Sequence, residues 1–241
     1  MGNLCYNHQM ITSRQIRQTL VTAIPVMLGY VAIGIPCGIM SHSIGLEPWQ
    51  TLVMSLTLYS GAGQFMMSNM WLSGSPLISI ILSISLVNTR HILYSVSLAP
   101  YAKHVSKRLA FLYAAFVTDE TYGVNISKFE QGGWTVGQAT LLSIFSCLSW
   151  SISNFVGCFA GGLLGIPLSI ASFAMTSIFI CLLFTQKMSA TNIMAMVVAF
   201  VSVYFCKLFN LGGLAIIISA LLGVFSGLVL DYVKQLRGDE K

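Results

Sequence analysis

From residue 131 to residue 186 the chain reads QGGWTVGQATLLSIFSCLSWSISNFVGCFAGGLLGIPLSIASFAMTSIFICLLFTQ, 56 residues without one Asp, Glu, Lys or Arg. A helix needs about 20 apolar residues, each rising about 1.5 Å, to cross the hydrocarbon core of a bilayer. The stretch has room for two, with Gly161-Gly162 and Gly165-Ile166-Pro167 as the interruption between them. It is continuously apolar and does not alternate, which selects helices over the strands of a barrel.

The same pattern extends in both directions. Residues 188–206 and 208–230 are charge-free, and residues 18–89 carry a single charge, Glu47. Of 241 residues, 8% are charged and 56% are hydrophobic. A soluble chain carries roughly 25% charged residues, so this one has too little polar surface to dissolve in water. It is also too apolar to be disordered. The net charge of +5 comes from 12 Lys and Arg that form no long run, which speaks against a nucleic-acid binder. The expected fold class is all-α: a polytopic integral membrane protein of about seven or eight transmembrane segments. It forms a single transporter domain over 1–241, with a polar N-terminal arm (1–19) and a polar C-terminal tail (232–241).

Turn signals divide the runs. Gly45, Glu47 and Pro48 separate span one (20–40) from span two (49–72). Ser73-Gly74-Ser75-Pro76 opens span three, which Pro100 closes. Span four covers 109–125, span five 137–160, and span six ends before Lys187. Spans seven and eight cover 190–206 and 211–230. The six cysteines include no CxxC pair and read as small packed hydrophobes. The four histidines are scattered. No metal site and no cofactor are expected.

A few residues do not suit a membrane. Span three contains Asn88-Thr89-Arg90-His91-Ile92-Leu93-Tyr94, which puts Arg90 near mid-depth. An Arg at the bilayer centre costs about 2.5–3.5 kcal/mol on insertion scales, so it needs a protein or water environment and a partner. Span four supplies Asp119 and Glu120, eleven and twelve residues beyond Arg108 and at similar depth. Adjacent helical residues point about 100° apart. One carboxylate is expected to pair with Arg90 while the other faces a cavity; which does which is open. Two close carboxylates also resist joint ionisation, which suits proton exchange. His91 is a third candidate proton carrier. The plainer reading of the group is an ion pair that fixes helix register.

Two spans carry helix breakers. In span one, Gly34 and Pro36 predict a break. In span two, Tyr59-Ser60-Gly61-Ala62-Gly63-Gln64-Phe65 combines weak helix formers with polar groups. Broken or re-entrant helices are therefore expected near spans one and two. Unwound backbone at membrane depth lines cavities, where it binds carboxylates at helix N-termini and cations at free carbonyls. Ser60, Gly61, Gly63, Gln64, Asn88 and Arg90 are the candidate substrate-binding residues. Gly29 and the Gly157/Gly161 pair read instead as close helix packing.

In order and spacing, three stretches resemble the signatures of one family: Gly61-Ala62-Gly63-Gln64, Asn88-Thr89-Arg90-His91-Ile92-Leu93-Tyr94, and Asp119-Glu120. The chain resembles the AzlC family, of the YgaZ/BrnF-like kind, the large subunits of two-component branched-chain amino acid exporters. The resemblance runs from Pro25 to span eight. It implies export of valine, leucine and isoleucine, with methionine as a further substrate, from a bacterial cytoplasm across the inner membrane. It also implies a small AzlD-type membrane subunit as partner. The roles given to individual residues come from their chemistry, with Asp119, Glu120 or His91 as carriers in a proton antiport. The alternatives are a transporter or channel for another small zwitterionic or polar solute, and a membrane scaffold. An acid–base enzyme is disfavoured, because no nucleophile elbow, zinc ligand set or phosphate loop accompanies the cluster.

Overall fold

A computed structural model describes residues 12–103, 105–165, 189–209 and 214–238, with the isolated positions 169, 173, 176, 177 and 180. Apart from those isolated positions, span six lies outside the described residues, as do the first eleven residues of the N-terminal arm, the last three of the tail, Cys5 and Cys181. Among those described, all regular structure is helical. The order is α1 (Ser13–Ser43), α2 (Pro48–Thr57), α3 (Gly61–Leu72), α4 (Leu77–Asn88), α5 (Arg90–Leu98), a 3-10 turn (Ala99–Ala102), α6 (Lys107–Ala115), α7 (Asp119–Gln131), α8 (Val136–Leu164), α9 (Ala190–Leu208) and α10 (Leu214–Gly238).

Four helical stretches among them are long and apolar enough to cross a membrane: Ser13–Ser43, Leu77–Ala102, Val136–Leu164 and Ala190–Leu208. Large apolar side chains such as Leu28, Phe111, Leu163 and Phe200 point outward, as a chain solvated by lipid requires. The expected spans two and four are each divided into two shorter helices, α2/α3 and α6/α7.

The break expected in span one is corrected. Helix α1 runs without interruption through Gly34 and Pro36, and Pro25 also lies inside it. A proline removes one donor, but a long helix held by its neighbours tolerates that loss. Gly34 has a packing role instead. A Cβ there would sit 2.7 Å from Ser153 Cβ and 3.3 Å from Asn154 Nδ2 on α8. A Cβ on Gly38 would overlap the backbone of Asn154 and Cys158, and one on Gly157 the backbone of Ile35. The pairs Gly34/Gly38 and Gly157/Gly161 thus form facing small-residue seams that bring the two backbones together. The seam is tied by Ser149 Oγ donating to Met27 O (2.9 Å). Gly29 takes no part, since a Cβ there would meet nothing within 4 Å.

The chain divides into two compact units, residues 1–65 with 88–175 and residues 66–87 with 176–241. In the first, α1 and α8 carry two buried apolar clusters. One gathers Val26, Tyr30, Cys37, Met40, Tyr59, Phe65 and Trp150. The other gathers Ala23, Leu98, Tyr113, Val117, Trp134 and Leu142. Helix α8 starts at Thr135, whose hydroxyl and Gln138 cap one another's backbone amides, and stops at Gly165 in the left-handed region (φ +56°). In the second unit α9 packs on α10 through small residues. A Cβ on Gly223 would lie 2.9 Å from Ala195 O and 3.1 Å from Ala199 Cβ. Cys37, Cys147, Cys158 and Cys206 are free and buried, in keeping with their reading as small hydrophobes.

Candidate functional site

The site is built at two helix breaks. The first is Leu58-Tyr59-Ser60, between α2 and α3. Leu58 O accepts from Ser60 N (2.8 Å) and from Gln64 Nε2 (2.7 Å). Ser60 caps α3: its hydroxyl accepts from Gly63 N (3.1 Å) and donates to Asn88 Oδ1 (2.6 Å). Gln64 is fully buried, and its Oε1 accepts from Cys37 Sγ and Ser55 Oγ, each at 3.5 Å. Its side chain therefore holds the break closed from behind. Gly61 is needed for space, because a Cβ there would stand 3.2 Å from the Trp150 ring, which lies on the first turn of α3.

The second break, Phe116-Val117-Thr118, lies between α6 and α7. Thr118 caps α7. Its Oγ1 accepts from Thr121 N (3.4 Å), and its own N donates to Thr121 Oγ1 (2.8 Å). Asp119 and Glu120 occupy the first turn of α7. The partial positive charge of a helix N-terminus stabilises carboxylates placed there. Alanine at Thr118 removes the cap and is expected to cost about 1 kcal/mol. The check is the thermal unfolding midpoint of the purified protein, which Thr118→Ser should leave nearly unchanged.

The two breaks are joined. The Phe116 ring lies 6.3 Å from that of Tyr59. Tyr30, on α1, packs edge-on to Tyr59 (6.4 Å) and Trp150 (5.6 Å). Its hydroxyl sits 2.6 Å from Thr118 Oγ1 and 2.8 Å from Glu120 Oε2. Arg90 Nη1 pairs with Asp119 Oδ2 at 2.5 Å. The stretch Asn88-Thr89-Arg90 thus reaches both breaks, Asn88 through Ser60 and Arg90 through Asp119. Arg90 Nε is shielded from solvent and has no hydrogen-bond partner among the described residues. The guanidinium is anchored on one side and keeps a donor for something else.

The question of which carboxylate pairs with Arg90 is resolved in favour of Asp119, while Glu120 is held by a tyrosine hydroxyl. Ser60, Gly61, Gly63, Asn88, Arg90, Asp119 and Glu120 come together around the two breaks. His91 follows Arg90, with its ring 6.2 Å from that of Tyr94. Gly34 lies on the α8 seam, and Pro36 lies within the same unbroken helix. Sequence reasoning missed the second break and the roles of Tyr30, Phe116 and Trp150. A signal existed: Thr118-Asp119-Glu120-Thr121 has the cap and acidic first turn of a helix start. A tyrosine or tryptophan deep in an apolar span also signals a polar partner.

The family described as AzlC protein matches residues 25–164, a stretch that contains both breaks and every residue of the site. An uncharacterized membrane protein of Archaeoglobus fulgidus is 27% identical over 90% of this chain and 95% of its own length. The inner membrane protein YgaZ of Escherichia coli is 27% identical over 58% of each chain. A Bacillus subtilis protein named branched-chain amino acid transport protein AzlC is 26% identical over 71% of this chain and 68% of its own. No solved structure matches. With more than half of its length matched, site included, the chain belongs to the AzlC family of membrane proteins.

Proposed function

We propose that this protein exports the branched-chain amino acids valine, leucine and isoleucine, and also methionine, across a bacterial inner membrane, together with a small AzlD-type membrane subunit. The observation that carries the reading is Arg90: a cation at mid-span, anchored by Asp119 on one side and holding a shielded Nε donor that has no hydrogen-bond partner among the described residues. A zwitterionic amino acid has the complementary carboxylate. Charge-assisted hydrogen bonds of this kind contribute about 1.5–3 kcal/mol. The first turn of α3, whose amides start at Gly61, offers a second set of donors at the break beside Asn88. The substrate ammonium goes to the carboxylates at the start of α7, Glu120 foremost. Aromatic walls from Tyr59, Phe116 and Trp150 take the apolar side chain. Proton antiport supplies the driving force, with Asp119, Glu120 and His91 as carriers.

The name of the Bacillus subtilis relative supports the substrate class. The test is efflux from cells fed valine, leucine, isoleucine or methionine dipeptides, with and without the chain and its small partner. Faster release of the branched-chain amino acids when both are present is the expected result. Release unchanged for all four, with the chain present in the membrane, refutes the proposal and leaves another small solute or a scaffold role. Release that ignores the proton gradient points to a channel.

A further inference from the structure

We infer that Tyr30 is the residue that couples protonation of Glu120 to the start of α7, through an oriented chain of hydroxyl groups. The inference rests on the transport reading above and adds to it the route by which a proton changes the site. A phenol has one proton to donate and two lone pairs. Tyr30 Oη lies within hydrogen-bond distance of two oxygens, Glu120 Oε2 (2.8 Å) and Thr118 Oγ1 (2.6 Å). Tyr30 is 5% exposed, so water does not replace either partner.

With Glu120 ionised, only one arrangement satisfies these contacts. A carboxylate accepts and cannot donate. Tyr30 therefore donates to Glu120, and the Thr118 hydroxyl donates to Tyr30. Thr118 Oγ1 keeps its lone pairs for Thr121 N, the contact that caps α7. Its other neighbour is Thr121 Oγ1 at 3.1 Å. When Glu120 takes up one proton on Oε2, the oxygen that faces Tyr30, its carboxyl becomes a donor to Tyr30. The Tyr30 proton then turns to Thr118 Oγ1, and the Thr118 proton turns to Thr121 Oγ1. Each hydroxyl keeps one proton, and the only net change is the one bound by Glu120. Thr118 Oγ1 now accepts from Tyr30 as well as from Thr121 N, so both of its lone pairs are engaged and the capping oxygen serves two donors instead of one. That helix end carries Asp119, the partner of Arg90.

The ionisable groups that face Glu120 are Tyr30 from α1, Tyr59 from the first break and Tyr94 from α5. Asp119 adjoins it with Arg90 attached, and His91 faces that pair. Of the three tyrosines, only Tyr30 hydrogen-bonds both Thr118 and Glu120 among the described residues.

The test uses the full chain with its small partner in lipid vesicles. Two rates are compared for the wild type, Tyr30→Phe and Glu120→Gln: valine–valine exchange at equal pH, which moves no net proton, and valine flux driven by a pH gradient. Phenylalanine keeps the ring contacts with Tyr59 and Trp150 and removes the hydroxyl that joins Glu120 to Thr118. Exchange by Tyr30→Phe should fall by much less than its driven flux. Its gradient-driven flux should fall about tenfold, the equivalent of one hydrogen bond, and its pH profile should flatten toward that of Glu120→Gln. A wild-type pH profile in Tyr30→Phe, or an equal loss of exchange and driven flux, overturns the inference while leaving the transport reading intact. Absence of valine exchange in the wild type overturns both. Should Tyr30→Phe fail to reach the membrane, Thr118→Val interrupts the same chain one link further on and carries the same expectations.

Discussion

Alanine at Arg90 is expected to lower valine export ten- to hundredfold, with protein still present in the membrane. The magnitude follows from charge-assisted hydrogen bonds of about 1.5–3 kcal/mol lost to the substrate carboxylate. The Arg90 and Asp119 side chains are 32% and 40% exposed. Neither side chain is sealed inside the protein, so removing Arg90 does not leave Asp119 as a fully buried, unpaired charge. That makes the variant informative, because transport suffers more than stability. Lysine at Arg90 keeps the charge but lacks the planar fork and its separate Nε donor, so it should restore only part of the rate. A second variant separates two roles of the arginine. If Arg90 only neutralises Asp119, the double variant Arg90→Ala/Asp119→Ala should recover valine–valine exchange at equal pH, which needs no net proton carrier. If Arg90 binds substrate, exchange by the double variant stays as defective as that of Arg90→Ala alone. The latter is expected, and exchange rates normalised to the amount of protein in the membrane decide it.

Valine at Gly38 is expected to prevent assembly of the first unit. Even a single Cβ at this position overlaps the backbone of Asn154 and Cys158 on α8. Backbone atoms cannot rotate aside as a side-chain tip can. The two helices must separate, and the contacts along the whole seam, including Ser149 to Met27 O, are strained or lost. Overpacking of a tight core costs about 1–3 kcal/mol, occasionally more. Alanine should fall near the upper end of that range, and valine beyond it. Alanine at Gly157, which meets the backbone of Ile35, should behave like alanine at Gly38. Gly29→Ala is the control. It lies in the same helix, meets nothing within 4 Å, and should be neutral or gain up to about 1 kcal/mol from helix propensity. Thermal unfolding of purified protein, with the yield of monodisperse material, tests the series. Equal behaviour of Gly29→Ala and Gly38→Ala would contradict the seam.

The long helices were legible because nothing competes with an unbroken apolar run. The charge-free stretches around Ala139–Cys158 and Ala190–Cys206 became α8 and α9. The first break was legible from Ser60, Gly61 and Gly63, where weak helix formers coincide with a capping hydroxyl. The second was obscured because Phe116-Val117-Thr118 contains neither Gly nor Pro. Its cause is a cap that begins a new helix, not a residue that ends the old one. Pro36 misled for the opposite reason. It is a local breaker, but Gly34 and Gly38 on either side bind α1 to α8, and the tertiary contact prevails over the local preference. The ion pair was legible in kind, since a mid-span Arg needs a carboxylate. The choice of Asp119 over Glu120 depended on Tyr30, whose hydroxyl sequence alone could not place near either.

Asn88 and Arg90 are two residues apart, and Thr89 between them has helical backbone angles (φ −56°, ψ −24°). At 3.6 residues per turn, two steps amount to about 200°, so the pair projects to nearly opposite sides of one axis. Asn88 grips the α2/α3 break through Ser60, and Arg90 grips the α6/α7 break through Asp119. A small roll of this segment about its axis therefore moves its two handholds in opposite senses. Slack given to one break is taken up at the other, as in a seesaw with a single pivot. A gate on each arm would open by turns, with no separate device needed to prevent both from opening together.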